Sequence, residues 1–295
     1  MRKLLATPLS FLLLPLSFAA EVDHFSEKEI VIADMAPRIN LMANQMMAQS
    51  VKDLNAKGVC DQSQKSETIL LDELAKSFSN HTKGKLVINM LHDKTLDLRR
   101  TKLKDSIYKE WSVFDGFLLG RDSAQKSPLA ITPIIKIGEQ EVGIDKFEHM
   151  FGMGRRYFNS FYVRNKTMKR TLKVGIFKEK TVLGGNFLAT GVFAYADLAA
   201  NFNGMRFWNH MLQKRDDVLG AEYNIGPYIE CVDRKWQVVK SNPLDFRNYM
   251  DQSMDESVNC SKFASKNGVK KVKRSFRRLS RQYRTHVSCP MNKSD

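Results

Sequence analysis

Apolar positions recur with a helical period over much of the chain, and two short stretches switch to alternation. Residues 28 to 57, "EIVIADMAPRINLMANQMMAQSVKDLNAKG", stop at Gly58 and predict one or two helices broken near Pro37. Residues 66 to 92 predict another helix, "SETILLDELAKSFSNHT", leading into "KLVINML", and "TKLKDSIYKEWSVFDGFLLGRD" reads as a helix ending near Gly120. From Asp145 to about Val163 the pattern is helical, with Gly152 and Gly154 as weak points. Residues 167 to 180 and "YADLAANFNGMRFWNHML" give two more helices. Two β-hairpins are expected, one around Gly138 in "PLAITPIIKIGEQEVGI" and one in "YIECVDRKWQVVK". The fold class that follows is mainly α with one or two small β-hairpins.

The first residues, "MRKLLATPLSFLLLPLSFAA", join two cations to an apolar run too short to span a bilayer and then to small residues. Residues 1–19 are therefore expected to be a secretory signal peptide, and the mature chain to begin near Ala20. What remains divides into an N-terminal helical region (20–125), a core (126–263) and a basic C-terminal extension (264–295). A hydrophobic content of 43% is enough for a buried core. In an exported chain the four cysteines, Cys60, Cys231, Cys260 and Cys289, predict two disulfides, and three pairings are open.

Lys and Arg outnumber Asp and Glu by 47 to 32, giving a net charge of +15. Outside the cytoplasm that charge suits anionic envelope polymers or membrane surfaces rather than nucleic acid. The extension concentrates it, with nine Lys or Arg and no acid between Lys266 and Arg284.

Two carboxylates carry the candidate chemistry. Glu179 ends a predicted helix, where the negative end of the macrodipole opposes its ionisation, and an apolar setting would raise its pKa further, as a general acid requires. Its flanking Lys178 and Lys180 permit the plainer reading of a solvated surface charge. Glu148 stands three residues after Asp145, a spacing that also fits a capping box. The glycines Gly184, Gly185 and Gly191 follow Glu179, and Tyr195, Asp197 and Asn201 cluster at the start of the next helix, with Asp197 and Asn201 on one face. His149, Tyr195 and Tyr228 are further candidates for binding substrate. Trp111, Trp208 and Trp236 add aromatic faces that could stack on sugars. No H-E-x-x-H spacing occurs, so neither metal nor cofactor is expected.

The succession "VGIDKFEHMFGMGRRYF", "FKEK", "GVFAYADLAANFNGMRFW" and "DESVNCSKF" resembles a periplasmic family related to the lysozymes of predatory bacteria that cut deacetylated peptidoglycan. The likeness covers roughly residues 130 to 263, and its most specific part is D-K-x-x-H, a helix-end glutamate and D-x-x-A-N-x-x-G. It implies a lysozyme-like α+β fold and a secreted or periplasmic muralytic glycosidase that prefers N-deacetylated glycan. Glu148 and Glu179 are the two catalytic glutamates on that reading, and Asp197, Asp216 or Asp217 would favour the cationic amine of the sugar. A looser form of the pattern also resembles VanZ-like envelope proteins. The alternative expectation is therefore a non-catalytic helical envelope protein that binds glycan or lipid.

Overall fold

Pro37 opens the first helix rather than breaking it, because a proline in the first turn has no backbone donor to lose. In the computed structural model, which describes residues 21–289 except 59 and 62, this helix is α1, Ala36–Asn55. The segment expected to be a signal peptide lies outside the described residues. The buried stripe of α1 holds Ile39, Ala43, Met47, Val51 and Leu54. Its asparagines hold loop and strand backbone in place: Asn40 Oδ1 accepts from Phe246 N at 2.9 Å and Asn44 Oδ1 from Leu244 N at 3.0 Å, while Asn55 bonds both N and O of Trp236. Helix α2, Gln64–Leu74, is capped by Ser63 Oγ, and α3 spans Lys85–His92.

Residues 101–120 form a series of turns, not the helix their apolar spacing predicts, and only the short α4, Asp122–Lys126, follows. Side-chain bonds to backbone outcompete the helical ladder here. Asp115 Oδ2 accepts from both N and Oγ of Ser112, Asp23 Oδ2 accepts from Ile107 N, and Trp111 Nε1 donates to Thr190 O at 2.8 Å. Gly116 abuts Thr190 O so closely that a Cβ would sit 1.8 Å from it.

Both hairpins form as expected. β1 (Ile134–Ile137) pairs antiparallel with β2 (Gln140–Gly143) from Ile134 opposite Gly143 to Ile137 opposite Gln140, with Gly138 at φ +62° in the turn. β4 (Ile229–Val232) pairs with β5 (Lys235–Val238) around Asp233 and Arg234, both at positive φ. A third two-stranded sheet joins β3 (Val192–Phe193) to β6 (Lys262–Phe263). The fold is mainly α with three small antiparallel sheets among the described residues.

The centre is the crossing of α5 (Ile144–Phe151) and α6 (Met153–Phe158) with α8 (Tyr195–Leu212). Gly152 separates α5 from α6, as the pattern suggested. Gly154 has a different part, since a Cβ there would lie 2.5 Å from Gly204 Cα, and one on Gly204 would lie 2.3 Å from Met150 O. Paired glycines thus let the helix backbones touch. Around this contact Phe78, Phe147, Phe151, Phe207 and Phe246 interlock, with ring centroids 5.0 to 6.1 Å apart. The same apolar cluster takes residues from α1, α2 and α3, so the N-terminal region and the core share one interior.

Helix α7, Met168–Lys178, runs into a wide π-type turn, Glu179–Leu183, and α9, Lys266–Tyr283, forms from the basic extension. α9 buries Val272, Phe276 and Leu279 in a second cluster with Tyr108 and Trp111, and Lys271 pairs with Asp115. The disulfides are Cys60–Cys231 and Cys260–Cys289. Two such bonds point to an oxidising, extracytoplasmic location. Among the described residues no helix is long and apolar enough to cross a membrane.

Candidate functional site

A helix advances about 100° per residue, so Asp145, Lys146 and His149 share one arc of α5, while Phe147 points away and Glu148 lies to the side. The glycine contact with α8 brings that arc against Asp197 and Asn201, which are four residues apart on one face of α8. The result is a buried polar cluster between two helices.

Lys146 is its hub. The Nζ atom of this fully buried side chain donates to Asp197 Oδ1 at 2.6 Å, Asp145 Oδ2 at 2.8 Å and Glu256 Oε1 at 3.1 Å. Burial works against the ammonium, but the three carboxyl groups outweigh it and hold its pKa well above the usual lysine value. Beyond Lys146, Asp197 Oδ2 lies 3.1 Å from His149 Nε2, and His149 Nδ1 lies 3.1 Å from Asn201 Oδ1. Burial again opposes the charge, yet Asp197, then Glu179 and Asp145, push His149 up to about 10. The ring is therefore an imidazolium at neutral pH, donating from both nitrogens. Against the desolvation that would raise it, Asp197 is driven far below the carboxylate range by His149 and Lys146 and stays ionised.

Glu179 begins the π-type turn after α7 and is 1% exposed. Gly184 and Gly185 fold back over it. Gly185 N donates to Glu179 O at 2.8 Å, and a Cβ on Gly184 would come within 2.9 Å of Glu179 Oε1. Burial first, and the negative charge of Asp197 second, push the carboxyl up to about 8; His149, Lys146 and the backbone of Ala194 at the start of α8 only partly oppose them. Its Oε2 has no hydrogen-bond partner among the described residues. Two carboxyl groups of one cluster are thus held in opposite states, Glu179 protonated and Asp197 ionised.

Two acids that the sequence reading did not single out complete the cluster. Glu256 is raised to about 7 by burial, with Lys146 opposing and Asp197 reinforcing. Glu21 is raised well above the usual range by burial and by Glu256. Both lie far from D-K-x-x-H in the chain; Glu256 falls within the "DESVNCSKF" stretch of the resemblance, and nothing in the local pattern marks Glu21. Asp145, expected as a cap, instead binds Lys146, and α5 starts from Gly143 without a side-chain cap.

The other expected residues fall elsewhere. Glu148 Oε1 accepts from His81 N at 3.2 Å and lies 2.8 Å from His81 Nδ1, and the groups that act on Glu179 are Asp197, His149 and Lys146. Tyr195 is half-buried at the first turn of α8, under the Lys262 ammonium at 5.6 Å. Tyr228 is buried in a different cluster: its hydroxyl meets that of Tyr249, which meets His210 Nδ1, and His210 Nε2 lies 2.8 Å from Asp217. Asp217 also accepts from Arg206, and Asp216 from Asn224. The three tryptophans are at most 4% exposed and offer no face to a sugar, because each packs into apolar interior.

Asp145, His149 and Asp197 also present ligand atoms within 4.8 Å of one another, the spacing of a metal site. Lys146 already sets an ammonium on both carboxylates, and His149 is held as a cation, so this donor set does not suit a metal ion. No family model matches the chain, and no curated protein or solved structure matches it significantly.

Proposed function

We propose that this chain is a secreted or periplasmic muralytic glycosidase of lysozyme-like fold, cutting the glycan backbone of peptidoglycan with Glu179 as its general acid. One observation carries the reading: a buried glutamic acid with a pKa of about 8 beside an aspartate kept ionised. Separating two carboxyl groups in this way is how a site keeps a proton to give at neutral pH. Glu179 would protonate the glycosidic oxygen as the sugar becomes oxocarbenium-like. His149 and Lys146 would then steady the new carboxylate, which could take a proton from the incoming water. A preference for N-deacetylated sugar rests on the sequence resemblance, because Lys146 and His149 already neutralise the carboxylates of this cluster. Glu148, the second carboxylate of the two-glutamate reading, is bound to His81, and the ionised carboxylate that acts on Glu179 is Asp197.

A second reading, a non-catalytic envelope protein that binds glycan or lipid, is favoured by the 1% exposure of Glu179. Incubation of the mature protein with native and N-deacetylated peptidoglycan separates the two. New reducing ends on the deacetylated polymer, abolished in Glu179→Gln and reduced in Glu148→Gln, support the glycosidase. Retention on sacculi without new reducing ends supports the binding protein.

A further inference from the structure

Helix α7 departs from the pattern of an ordinary surface helix. Thr171, Gly175 and Glu179 mark its inner face, and Gly175 lies so close to Tyr157 that a Cβ would meet the hydroxyl. On the opposite arc a solvated helix carries polar residues. Here that arc interleaves Lys169, Arg170, Lys173 and Lys180 with Val174, Ile176 and Phe177, and Phe177 is 62% exposed. From Arg164 to Lys180 there are seven Lys or Arg and one acid, Glu179, which is buried.

The apolar exposure continues into two loops tied to the end of α7. Thr181 Oγ1 donates to Phe177 O, Asn186 Nδ2 donates to Thr181 O, and Phe117 N donates to Phe187 O at 2.7 Å. These bonds tie together the segments that carry Phe177, Phe187, Leu188, Phe117 and Phe114. Leu188 is 73% exposed and Phe114 76%. Exposed apolar side chains scattered singly need no explanation, but several on segments bonded to one another mark an interaction site.

We propose that the outer face of α7, with the loop tips at Phe114, Phe117, Phe187 and Leu188, docks on the surface of an anionic phospholipid bilayer. Charge complementarity selects that occupant. Cations beside protruding aromatic and aliphatic side chains match a layer with anionic headgroups above acyl chains, whereas a protein partner would have to bury those lysines. The surface is distinct from α9, whose apolar stripe is already spent on the protein interior. It does not depend on Glu179 being catalytic.

Co-sedimentation of the full mature chain with vesicles of phosphatidylcholine, alone or mixed with phosphatidylglycerol, tests the proposal. Binding should require phosphatidylglycerol and weaken about tenfold or more in Lys169→Glu/Lys173→Glu and in Phe177→Ser/Leu188→Ser. Lys270→Glu/Lys273→Glu on α9 should bind as the wild type does. In Leu188→Trp the new indole should shift its emission to the blue only with anionic vesicles, a readout in a chain whose native interior is untouched. Equal binding to neutral vesicles, loss through the α9 variant alone, binding to lipopolysaccharide micelles but not to phosphatidylglycerol, or no binding at all would each overturn it.

Discussion

Replacing Glu179 by Gln removes one titrating group and leaves the shape of the cluster nearly unchanged. The folded carboxyl keeps its proton up to about pH 8, whereas an unperturbed glutamate loses it near 4.5. Between those values the folded state binds a proton that the unfolded state does not. Stability from this group is therefore fully present below about 4.5 and is lost as pH rises through about 8. The gap between the two values corresponds to about 5 kcal/mol, of which about 1 is already lost at pH 5. Urea unfolding of wild type and Glu179→Gln, followed across pH, reads the effect. The variant should gain on the wild type by about 4 kcal/mol between about pH 5 and about pH 9, since Gln has no charge to bury. On the glycosidase proposal, glycan cleavage declines over the same upper range, as the acid loses its proton. A difference between the two proteins that stays flat to within about 1 kcal/mol would refute a buried, proton-holding Glu179.

Lys146→Met should cost about 3–5 kcal/mol in thermal or urea unfolding at neutral pH, because Asp145, Asp197 and Glu256 would lose their shared cation while buried. Gly184→Ala should destabilise the fold by about 1–3 kcal/mol in urea unfolding and, on the glycosidase proposal, lower cleavage, since its Cβ would lie 2.4 Å from Val192 O and 2.9 Å from Glu179 Oε1. Removing the Cys260–Cys289 disulfide with paired serines should lower stability by about 3–4 kcal/mol, as expected for a sequence separation of 29, and increase proteolysis at α9. Phe147→Ala should destabilise by about 3–5 kcal/mol without altering the pH dependence assigned to Glu179, because Phe147 points into the aromatic interior away from Lys146.

Local signals carried much of the architecture. Both hairpins were legible because Gly138 and the Asp233–Arg234 turn sit between alternating residues, and α5, α7 and α8 because their apolar positions repeat with the helical period. Residues 101–120 misled for the same reason: their spacing is helical, but Asp115, Ser112 and Trp111 satisfy backbone groups in other ways, and periodicity is blind to such bonds. Gly154 looked like a weak point and proved to be the contact that lets α6 meet α8.

The sequence by itself determined the helical class, the two expected hairpins, the presence of two disulfides' worth of cysteine, and Glu179, His149, Asp197 and Asn201 as residues worth watching. The helices and hairpins follow from spacing within one or two turns of chain, and the cysteines from their number. Only the tertiary structure decided the cysteine pairing, the burial of the tryptophans and Tyr228, and the make-up of the charged cluster. Lys146 meets Asp197 across 51 residues and Glu256 across 110, and burial at that meeting point is what separates the carboxyl pKa values. The lysines beside Glu179 in sequence made it look like a solvated charge, but α7 turns them outward and Glu179 inward, so its electrostatic neighbours come from other helices.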